Sequence, residues 1–299
     1  GAGPIGCELA QAFARFGTQV FLVETEHGVL PREDSAAAEI VRQSLIADGI
    51  RLLCCGKDLC FEKAATGKRM TVQSHGEQVD VTVDEVLVGA GRAPNVEGLR
   101  LEHVGIACDR AGVTVNDFLQ TTQPHIYAAG DICTRYRFTH VADAMAQIVL
   151  QNALFLGRAK FSSLIIPWCT YTQPEVAQVG LSVKDLIERG IEADTYEQRF
   201  DQVDRAILDD QTEGFVKVLT KRGSDRILGA TIVADHAGDL ISEITLAMGQ
   251  NIGLGKLAKT IFPYPTQAEG IKKVATLYRK SKLTPFVKRL FIKWLAWNR

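Results

Sequence analysis

The sequence GAGPIG, residues 1–6, contains the pattern G-x-G-x-x-G, and the fold can be predicted outward from it. Glycines at the first, third and sixth positions permit a tight turn, a close approach of the backbone to a pyrophosphate, and close packing of a helix on a strand. The N-terminus of the following helix offers free N–H groups and the positive end of a dipole. The turn formed by Gly1, Gly3, Pro4, Ile5 and Gly6 is therefore a candidate dinucleotide site.

The residues that follow the turn have the pattern of a helix. In residues 7–17, apolar side chains recur at helical spacing and a glycine ends the segment. We expect Leu9, Phe13 and Phe16 to form its apolar face and Gly17 to end it.

Residues 18–24 predict a buried strand that ends in an acid, Glu24. A dinucleotide fold places a carboxylate roughly 20 residues after the turn, where it binds the ribose 2′-hydroxyl. Because a carboxylate repels a 2′-phosphate, the pattern favours NAD over NADP. Such a fold also has a strand before the turn, and we expect that strand to precede Gly1 in a longer protein.

Composition gives the broad class. The chain has 299 residues, 46% hydrophobic and 23% charged, which suits about two globular domains. A formal net charge of −1 provides no general attraction for nucleic acid, and no apolar run reaches the length of a membrane span. Seven irregularly spaced cysteines indicate a reducing compartment, so the cytoplasm is the expected location.

Further elements alternate along the chain. We expect a helix over 36–49, a long helix over 140–157, and strands at IRLLCC, KRMTVQS and within QVDVTVDEVLVGAGR. From about Ile166 the pattern becomes α+β, with strands near 167–173, 194–199, 214–220 and 227–233 and helices near 182–189 and 236–250.

Six blocks occur in an order that resembles the pyridine nucleotide–disulphide oxidoreductases, the flavoenzymes that include dihydrolipoamide dehydrogenase, glutathione reductase and mercuric reductase. They are GAGPIG with Glu24, VLVGAGRAPN, IYAAGD, CTYTQPEVAQVGLS, ILGATIVADHAGDLI and FPYPTQAEG. The resemblance spans residues 1–280, and six ordered blocks are more specific than any single motif. In that family an N-terminal FAD domain carries its own glycine turn and a redox C-x4-C pair, and we expect that domain to be missing here.

The resemblance implies an architecture. An α/β Rossmann-like NAD-binding domain (1–97) would be followed by a segment that completes the FAD domain (98–162), an α+β dimerisation domain (163–280) and a basic amphipathic tail (281–299). It further implies a homodimer through residues 163–280 and the cofactors FAD and NAD.

The resemblance also implies roles for residues beyond the first turn. Gly91 would approach NAD, and Asp131, after Gly130, would bind the ribityl chain of FAD. The helix that starts near His140 would direct its N-terminus, with Phe138 and Thr139, at the flavin, where the helix dipole stabilises the reduced anion by about 1 kcal/mol.

The block FPYPTQAEG departs from the family pattern, in which a histidine oriented by a glutamate acts as acid and base. Here Tyr264 stands at the histidine position, while Glu269 matches the glutamate. Since tyrosine has an ordinary pKa near ~10, it mostly remains a proton donor at neutral pH, which places dithiol chemistry in doubt. Mercuric reductase also has a tyrosine here, where the phenol helps to hold a metal ion. A residue that only packs at an interface is the alternative.

Cys55 and Cys60 have the C-x4-C spacing of a redox pair, yet they follow the strand IRLL in the NAD-binding region with Asp58 between them. A reactive thiol needs an accessible, electropositive environment. We expect buried or half-buried structural thiols instead. No cysteine or histidine spacing indicates a metal site.

The tail KLTPFVKRLFIKWLAWNR (282–299) predicts a basic amphipathic helix. One interpretation is a helix on an anionic membrane surface, which would add a peripheral location to the cytoplasmic one. The other is a terminal helix packed on a dimer partner or on another domain.

The sequence favours part of a flavoprotein that passes electrons from NADH through FAD to a disulphide, a metal ion or a similar acceptor, and this part alone is expected to lack turnover. Tyr264 and Glu269 would act at the site of the partner subunit. A non-catalytic NAD-binding dimerisation module remains an alternative, as does a flavin enzyme that reduces a quinone or small molecule without a cysteine pair. No nucleic acid partner is expected.

Overall fold

The computed structural model describes residues 1–25 and 28–298, which form two compact units. The first unit is discontinuous in sequence, since it joins Gly1–Ala90 to the segment that begins at Pro167. The second unit is the continuous stretch Gly91–Ile166.

The first unit begins with alternating helices and strands. They are α1 (Pro4–Arg15), β1 (Phe21–Val23), α2 (Ser35–Ala47) and β2 (Arg51–Leu53). β1 and β2 pair in parallel, an arrangement that needs a crossover connection, and α2 lies in that connection. The predicted order of helix, strand, helix and strand is confirmed.

The face of α1 that is buried differs from the prediction. Leu9, Phe13 and Phe16 are 37%, 46% and 85% exposed. The buried positions are small or polar instead: Gly6, Cys7, Ala10 and Gln11. The prediction of the apolar face was therefore wrong, because a helix that packs closely on a sheet through glycine and alanine leaves no room there for large side chains.

An antiparallel meander follows. Its strands are β3 (Lys57–Lys63), β4 (Lys68–Ser74) and β5 (Glu77–Val83), paired in that order. Met70, Val72 and Val79 pack with Leu53 to form a small core.

The segment VLVG (86–89) is not a strand among the described residues, contrary to prediction. Leu87 and Val88 are 52% and 81% exposed. Gly89 lies instead against the glycine turn, where a Cβ at Gly89 would be 3.5 Å from the Cα of Gly6. The segment thus backs the turn without a strand partner, and its apolar pattern gave a false strand prediction.

The second unit contains the short strands β6 (Cys108–Asp109) and β7 (Gly112–Val113) and the long helix α3 (Thr139–Leu154). Its core is formed by Leu119, Val141, Met145 and Ile148. Tyr127, in the apolar run before Gly130, forms an isolated antiparallel bridge with Gln120.

The second part of the first unit is built on an antiparallel sheet. Its strands pair in the order β10, β11, β12, β9, β8. The elements from Pro167 onward are β8 (Pro167–Thr170), β9 (Glu175–Gly180), α4 (Val183–Glu188), β10 (Ala193–Arg199), α5 (Asp204–Leu208), β11 (Phe215–Lys221), β12 (Ile227–Ala234), α6 (Ala237–Gly249), α7 (Leu254–Leu257), α8 (Glu269–Ser281) and α9 (Pro285–Trp297).

The apolar sequence of strand β12 is explained by its burial on both faces. Nearly every residue of ILGATIVA is buried. Helix α6 packs on β9 and β12, and α8 packs on β10 and β11. A strand that is covered on both faces has a nearly continuous apolar sequence instead of an alternating one.

Polar side chains join this sheet to the N-terminal helices. Gln11 of α1 accepts a hydrogen bond from the N–H of Gln173 at 2.7 Å and donates to its carbonyl oxygen at 3.0 Å. Trp168 donates its indole N–H to Glu33 at 3.0 Å. These contacts fix the glycine turn and α1 against the sheet.

Helix α9 leaves its apolar residues uncovered. Phe286, Leu290, Trp294 and Trp297 are each more than half exposed. Thr284 caps the helix by accepting from the N–H of Val287. Among the described residues, no helix combines the length and the hydropathy that crossing a membrane requires.

Candidate functional site

The glycine turn is closed on two sides and open on the third. A Cβ on Gly6 would lie 1.9 Å from the carbonyl oxygen of Gly1, and a Cβ on Gly1 would lie 2.8 Å from that of Gly89. Only glycine fits at either position without a shift of the backbone. A Cβ on Gly3 would meet no atom within 4 Å. The open side at Gly3 is where a ligand can reach the backbone.

Helix α1 begins at this opening. Gly3 is its N-cap, Pro4 is its first residue, and no side chain caps it. The first intrahelical hydrogen bond runs from the N–H of Cys7 to the carbonyl oxygen of Gly3 at 3.0 Å. Pro4 and Ile5 are exposed. An uncapped helix start beside open space fits the pyrophosphate of a dinucleotide.

Glu24 follows β1 and reaches back to the turn. Its Oε2 accepts a hydrogen bond from the N–H of Ala2 at 2.7 Å, and its Oε1 accepts one from the N–H of Thr25 at 2.8 Å. The side chain is half-buried. The structure thus brings the predicted ribose-binding acid and the glycine turn together.

The second unit holds the residues predicted to contact flavin. Gly130 has φ of +79° and begins the 3-10 turn that exposes Asp131. Its N–H points to the sulphur of Met145 at 3.4 Å, and a Cβ there would be 3.1 Å from the Cβ of Ala142. This fixes the backbone next to Asp131. Gly91 has φ of +116°, and a Cβ added at Gly91 would meet no atom within 4 Å.

The start of α3 is also uncapped. Phe138 is the N-cap and its side chain accepts no hydrogen bond from the first turn, while Thr139 and His140 are exposed. The rings of Phe138 and His140 stack at 5.3 Å with an angle of 11°. A helix start of this kind offers N–H groups to an electron-rich ring edge, so these residues fit a flavin as the resemblance implies.

In the turn FPYPTQAEG, Tyr264 does not bond to Glu269. Its hydroxyl donates to Oδ2 of Asp204 at 2.7 Å, and the ring is 70% exposed. The hydrogen bond to the Asp204 carboxylate, together with the negative charge of that carboxylate, raises the pKa of Tyr264, and Glu269 adds a smaller effect in the same direction. The phenol is therefore held neutral.

Glu269 is the first residue of α8, where the helix dipole favours a carboxylate. Its Oε1 lies 3.5 Å from Nζ of Lys273, and its Oε2 is buried without a hydrogen-bond partner among the described residues. Sequence reasoning identified Tyr264 and Glu269 but missed Asp204. Asp204 lies 60 residues from Tyr264 at the start of α5, and no motif spacing indicates it.

The prediction of buried or half-buried thiols at Cys55 and Cys60 is wrong, because both side chains are exposed. All of strand β3 is exposed, which leaves Cys60 uncovered. Within the residues that the structure describes, no cluster of three or more histidine, cysteine or acidic residues is arranged to hold a metal ion.

Comparison with known families and proteins gives consistent matches. Residues 1–146 match the family described as "Pyridine nucleotide-disulphide oxidoreductase", and residues 166–275 match its "dimerisation domain". The chain is 33% identical over 287 residues to mercuric reductase of Staphylococcus aureus, covering 95% of this chain and 52% of that protein. It is 32% identical over 286 residues to dihydrolipoyl dehydrogenase of Thermus scotoductus, covering 95% and 62%. The chain spans about half the length of the mercuric reductases that it matches.

Among solved structures, LpdA of Mycobacterium tuberculosis superposes with a TM-score of 0.85 at 29% identity, covering 93% of this chain and 60% of that one. Two consecutive regions of the chain match models of one family, and the similar proteins, a mercuric reductase and a dihydrolipoyl dehydrogenase, align with both regions. The chain therefore belongs to the pyridine nucleotide–disulphide oxidoreductase family.

Proposed function

We propose that this chain is the NAD-binding and dimerisation part of a flavoprotein that transfers electrons from NADH through FAD to a disulphide, a metal ion or a similar acceptor. Residues 1–97 would bind NAD, 98–162 would contribute to the FAD site, and 163–280 would form a homodimer. Membership of the family supports the oxidoreductase class.

The observation that carries the proposal is the contact between Glu24 and the glycine turn. A carboxylate 2.7 Å from the N–H of Ala2 lies where the adenosine ribose of a dinucleotide would follow a pyrophosphate at Gly3. Hydroxyl groups of a ribose can donate to this carboxylate, whereas a 2′-phosphate would be repelled by it. The geometry therefore favours NADH over NADPH.

In the flavin region, Asp131 would accept hydrogen bonds from the polyol chain, and the uncapped start of α3 at Thr139 and His140 would face the ring edge that becomes electron-rich on reduction. FAD, when bound, supplies two-electron transfer between the nicotinamide and the acceptor. The role proposed for the chain's own residues is to bind FAD and to orient it.

At the acceptor, Tyr264 and Glu269 are the proposed catalytic residues, acting at the site of the partner subunit. Tyr264 is exposed, as a residue that reaches a partner should be. A phenol carries its proton at neutral pH, and Asp204 raises the pKa of Tyr264 and so makes its ionisation still less favourable. This arrangement supports a role in which Tyr264 binds the electron acceptor rather than one in which it transfers a proton.

Calorimetric titration of the chain with NADH and with NADPH tests the nucleotide assignment without requiring turnover. We expect NADH to bind at least about tenfold more tightly, a difference of about 1.4 kcal/mol. Glu24→Gln should narrow that ratio, whereas Glu39→Gln, an exposed acid on α2 paired with Arg42, should not. Equal affinity of the unmodified chain for both nucleotides would contradict the proposal.

Two other functions remain candidates. A non-catalytic NAD-binding dimerisation module would bind NADH but retain no flavin when purified from its source. A flavin enzyme that reduces a quinone or small molecule would retain FAD and reduce such an acceptor after all thiols had been blocked. Flavin absorbance and that thiol-blocking assay separate the three.

We also propose that the protein works in the cytoplasm with α9 lying on an anionic membrane surface. Residues 270–299 contain nine lysines and arginines and no acid, while the whole chain carries −1. The apolar side chains of α9 are exposed. Basic and apolar residues on one exposed helix match the chemistry of an anionic bilayer interface.

A further inference from the structure

The hydroxyl of Tyr264 has one proton, and that proton is already engaged. It is donated to Oδ2 of Asp204 at 2.7 Å. A phenol has a single O–H donor, so the groups that Tyr264 can present to anything outside are its oxygen lone pairs. The identity of the residue at position 204 therefore decides whether the hydroxyl of Tyr264 can act toward a ligand as a hydrogen-bond donor or only as an acceptor.

We propose that Asp204 is a positioning residue for Tyr264: it commits the phenolic proton, holds the ring in one orientation, and makes the hydroxyl oxygen an acceptor toward the incoming electron acceptor. This inference rests on the proposed placement of Tyr264 at the acceptor site, and it concerns Asp204, which no sequence pattern indicates.

The two partners come from different elements. Asp204 is the first residue of α5, and its side chain is exposed. Tyr264 stands in the turn before α8, where the hydroxyl of Thr266 donates to the carbonyl oxygen of Pro263 at 2.8 Å and so braces the turn. A hydrogen bond between two exposed side chains that belong to separately held segments orients the ring without being needed for the fold.

The charges around Tyr264 are mostly negative. Asp204 faces it from α5, and Glu269 faces it from the start of α8 with Lys273 as the partner of that acid. On α5, Arg205 is paired with Asp209 at 2.7 Å. This distribution of negative charge opposes formation of a phenolate, so the proton stays on Tyr264 and is donated to Asp204 as a hydrogen bond.

The test compares Asp204→Asn with a control, Asp201→Asn. Asp201 is exposed, pairs with Arg199 at 3.1 Å and lies on the same segment. Tyrosine ionisation is followed by ultraviolet difference absorbance, and subtraction of the Tyr264→Phe curve isolates Tyr264. We expect the pKa of Tyr264 to fall toward 10.0, its ordinary value, in Asp204→Asn and to stay unchanged in Asp201→Asn. An unchanged curve in Asp204→Asn overturns the proposal.

A second measurement separates this inference from the function on which it rests. In the turnover of the holoenzyme, Asp204→Ala, which removes the acceptor of the Tyr264 hydrogen bond, should raise KM for the electron acceptor roughly threefold to tenfold with little change in kcat, as expected for loss of one orienting hydrogen bond. A lowered pKa of Tyr264 together with unchanged kinetics in Tyr264→Phe would retain the contact but overturn the placement of Tyr264 at the acceptor. Far-ultraviolet circular dichroism of each variant, with Asp204→Glu as a second substitution, excludes misfolding as the cause.

Discussion

Lys217 on β11 donates to both carboxylate oxygens of Asp34, the N-cap of α2, at 3.1 and 3.0 Å. The two side chains are 12% and 8% exposed, and Glu197 lies 3.3 Å from the same ammonium group. Asp34 meanwhile caps α2 through the N–H of Ala36 at 3.0 Å. One buried ion pair therefore joins the nucleotide-binding helices to the antiparallel sheet.

Replacing Lys217 with methionine should lower the free energy of unfolding by about 3 kcal/mol, because it leaves a buried carboxylate without its counter-ion. Urea unfolding measures the change. Arg222→Met is the control, since Arg222 pairs with Glu192 but is 65% exposed, and its loss should cost less than about 1 kcal/mol. Similar costs for both variants would contradict the burial argument.

Alanine at Gly3 and at Gly6 should separate binding from folding. Gly3 has φ of −74° and open space around it, so Gly3→Ala should unfold like the unmodified chain yet bind NADH at least about tenfold more weakly. Gly6→Ala should lose both, because its methyl group would meet the carbonyl oxygen of Gly1. Full NADH affinity in Gly3→Ala would show that no pyrophosphate approaches there.

Glu33→Gln should stabilise the chain at neutral pH. Burial raises the pKa of Glu33, and the indole hydrogen bond from Trp168 offsets only part of that effect. An acid whose pKa is raised on folding binds protons more strongly in the native state, so its destabilising effect is present above the folded pKa and absent below the ordinary value of 4.5. The amide retains an acceptor for Trp168 and has no charge to desolvate.

Urea unfolding of Glu33→Gln at several pH values checks this expectation. The stabilisation should be largest near neutral pH and should disappear as the pH falls below 4.5. Glu188→Gln, at an exposed position on α4, should show no such trend. A gain that persists at low pH would mean that something other than ionisation of Glu33 is responsible.

The tail should bind anionic vesicles. With Lys288, Arg289 and Lys293 replaced by glutamine, affinity for phosphatidylserine vesicles should fall by roughly 100-fold, at about 1 kcal/mol for each charge near the surface. Glutamine at the exposed Lys57, Lys63 and Lys184 is the matched control. Co-sedimentation that is unaffected by deletion of residues 283–299 would favour a protein partner for α9 instead.

The sequence predicted most helices and strands of the first unit and indicated its glycine turn, because a glycine turn and helical periodicity are local signals. It could not predict which face of α1 is buried. Leu9 and Phe13 have the stronger helical pattern, yet the buried face is the one formed by small and polar residues such as Gly6 and Ala10. It predicted a strand at VLVG because apolar content cannot reveal whether a partner strand exists.

The partner of Tyr264 was also beyond sequence reasoning. Asp204 and Tyr264 meet only through tertiary structure, and their sequence separation follows no motif. The same holds for Gln11 and Gln173, which are 162 residues apart. Each such pair consists of common polar residues that could equally be hydrated at the surface, so the sequence does not indicate that they form a hydrogen bond with each other.

The discontinuity of the first unit has a consequence for biosynthesis. Its core joins Ala2, Leu22 and Val41 to Val176, Phe215 and Val233. These contacts cannot form until the ribosome has released the last of those strands, whereas the second unit closes on a continuous stretch. Pairings this far apart in sequence must overcome a large loop-closure entropy and form slowly. During synthesis the nucleotide turn should therefore stay open to proteases and chaperones longer than the region after it, although the turn is synthesised before that region.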